Sequence, residues 1–167
     1  MCIAPRGPHR LAVALLAVVC SRVAAEGVPR AVVINLRRNP ERYAGVKAAL
    51  EAEDLEFDRL DAVDGRALTA TERSENVTAL GRALMTPGMI GCFLSHRKCW
   101  ELCLHLRQPV IVFEDDVMVS SDFKAKLAAA MKNLPADWDV LLLGSIGETP
   151  VRAAHVSQCR TSSARGR

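Results

Sequence analysis

Four short apolar runs, separated by segments of helical period, set the strongest limit on what this chain can fold into. Residues 31–36 read AVVINL, 55–63 LEFDRLDAV, 110–115 VIVFED and 138–144 WDVLLLG. The first and third are apolar and rich in β-branched residues, as buried strands are, and the second alternates apolar with polar side chains. Asn39 and Pro40 supply a helix N-cap and a first helical residue. Tyr43, Val46, Ala49 and Leu50 then recur at helical spacing. Residues 89–106 are apolar on most sides over a helical length, which predicts a mostly buried helix. SSDFKAKLAAAMKNL opens on cap-forming residues and continues with Phe123, Leu127, Ala130, Met131 and Leu134 at helical spacing. Residues 64–88 are polar and rich in turn formers, so a loop with short helices is expected there. Strand alternating with helix predicts an α/β fold, a mostly parallel Rossmann-like sheet with flanking helices. In open sheets of this kind ligands bind beyond the carboxyl ends of the strands. Asn35-Leu36 and Glu114-Asp115-Asp116 both fall at such ends.

The chain has 167 residues, enough for one domain, and half of them are apolar. A net charge of +3 is too small to suggest nucleic acid. Much of the excess sits in the last 23 residues, with Arg152, Arg160, Arg165 and Arg167 against Glu148. No apolar run reaches the roughly 20 residues of a membrane-spanning helix. Residues 1–25 have the form of a signal peptide: Arg6, His9 and Arg10, then LAVALLAVVC, then Val23-Ala24-Ala25 before Glu26. A buried core helix is the competing view of that stretch. Cleavage would leave a domain at 26–144, placed in the secretory pathway (the endoplasmic reticulum or Golgi lumen) or secreted. Residues 145–167 have few large apolar side chains and no period, and are expected to be an irregular or disordered tail.

Cys2 and Cys20 would leave with the leader, and Cys92, Cys99, Cys103 and Cys159 would remain. Without a CxxC or a paired-histidine spacing, zinc is disfavoured. Cys99 and Cys103, four apart, read as small apolar residues on a buried helical face. Asn76-Val77-Thr78 is a glycosylation sequon, which makes Asn76 a candidate acceptor.

Three adjacent carboxylates repel one another, and a divalent cation would relieve that repulsion. Mg²⁺ and Mn²⁺ favour carboxylate and water oxygens, often shared with substrate phosphates. On an extended chain Glu114 and Asp116 would share one face and Asp115 the other. A solvated turn with one Asp capping the next helix fits the same residues. A dinucleotide site would need Gly-x-Gly-x-x-Gly after the first strand, and NLRRNPER has none. Ser95-His96 does not make a dyad, because sequence neighbours point apart on a helix. His96 in a long apolar helix reads first as a satisfied core residue, and Trp100 as core. Gly91 suggests close packing of that helix against another element.

Five blocks, in order, resemble glycosyltransferase family 25, which includes lipooligosaccharide and procollagen galactosyltransferases. VVINLRRNPERYAGVKAAL is similar to its opening strand and turn, and FDRLDAVDGRAL to its Ala-Val-Asp-Gly block. IGCFLSHRKCW resembles its Gly-Cys-x-x-Ser-His helix, VIVFEDDV its Glu-Asp-Asp strand end, and DWDVLLLG the strand after it. The resemblance is traced over about residues 31–144, and Met89 departs from the acidic residue expected before Ile-Gly-Cys. It implies a GT-A-like fold, and metal-dependent inverting transfer of galactose or glucose from a UDP-sugar to a protein or glycan hydroxyl. It implies Mn²⁺ (or Mg²⁺) on Glu114 and Asp116. Asp115, Asn35, Leu36, Arg38, Arg42 and Asp64 would lie at the nucleotide sugar. A turn-forming role for Asp64 beside Gly65, as for Asp61 nearby, is the alternative. The acceptor half of the family's domain would follow residue 144, so no general base is assigned. A non-catalytic secreted module binding a nucleotide-sugar or a partner, or an inactive fragment, is the other expectation.

Overall fold

The computed structural model describes residues 16–19, 29–135 and 138–144. Ten elements follow in chain order: β1 (Leu16–Val19), β2 (Arg30–Asn35), α1 (Pro40–Ala52), β3 (Phe57–Asp61), α2 (Ala70–Asn76), α3 (Ala79–Leu84), α4 (Pro87–Leu106), β4 (Val110–Glu114), α5 (Phe123–Lys132) and β5 (Val140–Gly144). The sheet order is β3-β2-β4-β1-β5. β2 pairs in parallel with β3 on one side and with β4 on the other. This is the expected open parallel sheet with flanking helices. β1 is antiparallel to both β4 and β5, and β5 has its described ladder with β1 alone. β1 lies inside the stretch with the form of a leader, so these residues meet two competing demands. Residues 145–167, expected as a tail, lie outside the described residues, as do 1–15 and 20–28.

Both faces of the central strands are covered, which explains their near-continuous apolar sequence. Ala31, Val33, Ile111 and Phe113 face α1 and α5, meeting Val46, Leu50, Phe123 and Leu127. Phe113 and Phe123 are in ring contact, with centroids 5.4 Å apart. Val32, Ile34, Val110 and Val112 face α4 and meet Cys99 and Cys103. The two cysteines are buried as expected.

Three local expectations are corrected. The second strand is shorter than 55–63, because the Leu55 amide bonds back to the Leu50 carbonyl and so closes the end of α1. Asn39 occupies the N-cap of α1 without a side-chain cap bond, while Pro40 starts the helix as expected. Trp100 is 36% exposed and lies edge-on to Phe93 on the outer face of α4, so it is not core.

α4 positions the site. It starts earlier than residue 89, at Pro87, with Thr86 Oγ1 accepting the Met89 amide at 3.2 Å. Its first turns lie against the loop after β3, where Gly91 touches Val63 and Gly65. Among the described residues no helix is long and apolar enough to cross a membrane.

Candidate functional site

The carboxyl ends of β2, β3 and β4 open together into a cleft of about 440 Å³. Its charged lining includes Arg38, Arg42, Asp64, Glu114, Asp115 and Asp116. Leu36, also expected here, lines it too. A larger cleft, of about 740 Å³, lies at the amino ends of β2 and β3. Its charges are largely matched among themselves, Arg30 with Asp58 and Lys124 with Asp54. The chemistry therefore concentrates in the smaller one.

The three acidic residues do not alternate as an extended chain would. β4 ends at Glu114, and the Val117 amide folds back toward the Glu114 carbonyl at 3.4 Å. Asp115 and Asp116 thus sit in a turn and share one partner. Arg42 Nη2 lies 2.7 Å from Asp115 Oδ1 and 2.7 Å from Asp116 Oδ2. A guanidinium suits this bridging geometry. Glu114 turns the other way, toward α4, where His96 Nε2 meets its Oε1 at 3.1 Å. Repulsion within the cluster is thus relieved by two cationic partners from different elements. Arg38 is paired with Asp64 across the cleft. Asp61 pairs with Arg37 at 2.5 Å outside it.

Asn35 does not line the cleft. It is 1% exposed and lies beneath the acidic turn. Its Nδ2 donates to Asp115 Oδ2 at 2.6 Å and to the Asn39 carbonyl at 2.9 Å. Its Oδ1 accepts from Arg59 at 2.7 Å. One amide therefore ties the turn after β2, the turn after β4, and β3. Burial pushes the Asp115 carboxyl up, while the Asn35 hydrogen bond and the charge of Arg42 pull it back. Asn35→Ala leaves a buried carboxylate oxygen and a guanidinium N–H without their partners. It is expected to cost about 2 kcal/mol of unfolding free energy, read from urea transitions. A loss below about 0.5 kcal/mol would mean that water replaces the amide and that Asn35 is not a tie.

His96 is 4% exposed, and its Nδ1 has no hydrogen-bond partner. Burial alone would lower its pKa. The Cys92 sulfur one turn earlier and the Glu114 carboxylate outweigh that effect and raise it to about 9. His96 is therefore a core residue by burial but a cleft residue by contact. Two participants were not expected from sequence. Cys92 stands on the same face of α4 as His96, and a Cys-x-x-x-His spacing was the available signal. Ser95 Oγ accepts the Val63 amide at 2.8 Å and donates to the Gly91 carbonyl at 2.7 Å, binding the loop after β3 to α4. Asn76 lies apart from the cleft. At the last residue of α2, its Nδ2 donates to the Glu72 carbonyl and its Oδ1 accepts from Arg97 of α4.

A sequence profile described as "Glycosyltransferase family 25 (LPS biosynthesis protein)" matches residues 29–164. The chain belongs to glycosyltransferase family 25. The match continues past residue 144, where the resemblance read from motifs stops. In Bos taurus, "Probable inactive glycosyltransferase 25 family member 3" is 35% identical over 90% of this chain and 27% of its own length. The human "Inactive glycosyltransferase 25 family member 3" is 34% identical over 83% of this chain and 25% of its own length. The human "Procollagen galactosyltransferase 2" is 32% identical over 66% of this chain and 20% of its own length. The chain thus spans about a quarter of the length of these relatives.

Proposed function

We propose that this chain is the donor-binding half of a family 25 glycosyltransferase, and that its cleft takes a UDP-hexose, with galactose or glucose as the hexose. The observation carrying this is the convergence of Arg38, Arg42, Asp64 and the acidic turn at three strand carboxyl ends. Two arginines can meet the phosphate oxygens of a nucleoside diphosphate once their present carboxylate partners are shared with a cation. The donor set fits Mn²⁺ or Mg²⁺, because Asp116 Oδ1 is a buried acceptor with no hydrogen-bond partner. Asp116 would hold the ion, with Glu114 of the same cleft lining as the second carboxylate. When bound, such an ion supplies positive charge that stabilises a departing diphosphate. The chain's own residues position: Asn35 fixes the turn carrying Asp115, Arg42 holds Asp115 and Asp116 together, and Leu36 forms the apolar wall of the cleft. The acceptor would be a protein or glycan hydroxyl, with inversion at the anomeric carbon and a base supplied from outside the described residues. A secretory location, through residues 1–25, and glycosylation at Asn76 belong to the same proposal.

A second view is a module that binds the nucleotide sugar without transferring the hexose. It is favoured by the names of two relatives, which call them inactive or probably inactive.

Calorimetry of UDP with the full chain, with and without Mn²⁺, tests the donor site. Binding is expected to require Mn²⁺ and to weaken at least about tenfold, or 1.4 kcal/mol, in Asp116→Asn. No binding by a folded protein, or equal binding by the variant, would overturn the donor site. UDP-hexose turnover then separates transfer from binding alone.

A further inference from the structure

The cleft holds a second donor set, softer than the acidic turn. Cys92 Sγ, a ring nitrogen of His96 and a Glu114 carboxylate oxygen all lie within 4.8 Å of one another. It is the group of three such donors found among the described residues. Cys92 and His96 are one helical turn apart on α4, so the helix itself fixes their relation. Glu114 reaches them from the end of β4, and Ser95 holds α4 against the adjoining loop.

We propose that Cys92, His96 and Glu114 form a binding site for a zinc-class divalent cation, with the remaining coordination position open to the cleft. The chemistry of the set is the first argument. One thiolate, one imidazole and one carboxylate are the donors zinc takes, and three protein ligands plus an open position is the pattern of reactive rather than closed structural sites. Hard cations such as Mg²⁺ favour oxygen alone. The second argument is geometric: one turn of α4 and the end of β4 already bring the three donor atoms within 4.8 Å of one another before any ion binds. Tetrahedral zinc with these ligands spaces their atoms roughly 3.3–3.8 Å apart, from its usual bond lengths. His96 and Glu114 already meet at 3.1 Å, so Cys92, exposed at the cleft, is the residue that closes in. Binding releases the Cys92 thiol proton, and any proton held by His96, to solvent.

Glu114 belongs to both donor sets, but this site does not depend on the nucleotide-sugar proposal. Asp115 and Asp116 take no part in it. The lack of a CxxC or of paired histidines does not exclude this site, because a Cys and a His one helical turn apart are completed here by a carboxylate distant in sequence.

Co²⁺ reports the site, since thiolate ligation gives it a near-ultraviolet charge-transfer band and tetrahedral geometry strengthens its visible bands. The metal-free, reduced full chain is titrated with Co²⁺ and then with Zn²⁺, without nucleotide. One equivalent of Co²⁺ is expected to develop both bands, and Zn²⁺ to abolish them. Cys92→Ser should remove the charge-transfer band. His96→Gln should weaken binding at least tenfold, while Asp116→Asn leaves the bands in place. Cys92 is exposed, so its serine variant is expected to stay folded, and circular dichroism checks this. The proposal is overturned if the folded wild type gives no thiolate band. It is equally overturned if the band survives Cys92→Ser, which would place the metal on another cysteine. UDP binding with Mn²⁺ stands or falls separately, because it is read without the thiolate band and is lost in Asp116→Asn.

Discussion

Gly65→Ala is expected to lower the unfolding free energy by about 3 kcal/mol or more, beyond the usual cost of an extra core methyl. The reason is what surrounds the missing Cβ. A methyl group on Gly65 would collide with the Pro87 carbonyl oxygen and meet the Gly91 amide nitrogen at 2.8 Å. One on Gly91 would meet the Val63 carbonyl at 2.5 Å and the Gly65 amide at 2.7 Å. Backbone atoms cannot rotate aside as side chains do, so α4 or the loop after β3 must move. Either movement disturbs the Ser95–Val63 bond and the approach of His96 to Glu114. Gly91→Ala should behave alike, and the double variant should cost less than the sum, since both residues serve one contact. Gly45→Ala is the control. Nothing lies within 4 Å of its added Cβ in the interior of α1, so a gain of about 0.8–1 kcal/mol is expected there. Urea unfolding of the four variants measures this. A loss under about 1 kcal/mol for Gly65→Ala would show that the loop yields freely, and that α4 is not held in place by the two glycines.

Gly91 was legible as a close-packing position because a glycine in an apolar helix has few other reasons to be there. The central sheet was legible for a similar reason: residues 31–34 and 110–113 are apolar on both alternating sets, and only a strand covered on both faces accommodates that. Local chemistry carries such features. It does not carry which charge meets which. Arg42 binding Asp115 and Asp116, and Asn35 binding Asp115 and Arg59, join residues far apart in sequence, and only the sheet order brings them together. Nor does a run of carboxylates say where its strand ends. Alternation was extended past Glu114, whereas the turn at Asp115 and Asp116 places both on Arg42. Trp100 falls outside the core because a mostly buried helix still has an outer face, and its apolar residues do not say which of them lie there. In fact α4 buries Leu94, Cys99 and Cys103 and leaves Met89, Phe93, Trp100 and Leu104 outward. The Cys92–His96 relation was within reach of sequence, but only to a search for helical spacing instead of cysteine pairs.

Removing residues 1–25 is expected to free β5 from the sheet. The register pairs Leu16 with Gly144, Ala17 with Leu142, Val18 with Leu141 and Val19 with Val140, and these are the only described ladder partners of β5. The outer edge of β4 loses β1 as well, through Ala17–Val112, Val18–Ile111 and Val19–Val110. At roughly 1 kcal/mol net for each ladder hydrogen bond, a stability loss of about 4 kcal/mol is expected from the β1–β5 ladder alone, with the β1–β4 ladder adding to it. The amides of Leu141, Leu142 and Leu143 should exchange with solvent far faster than in the full chain. Leu141 and Leu143 are buried against the α1 and α5 face, whereas Val140 and Leu142 are exposed. That apolar anchoring gives the truncated chain one alternative. β5 is parallel to β4, since both run against β1, and α5 lies between them in sequence as a crossover helix would. β5 can therefore move one strand spacing, about 4.8 Å, and pair with β4 directly. Unchanged stability with protected β5 amides would establish that rearrangement and overturn the expected loss. Residues 16–19 cannot be both a discarded leader and the strand between β4 and β5. Rearrangement leaves residues 1–25 free to act as a leader, while loss of β5 means that the sheet needs a strand at that position whenever they are removed.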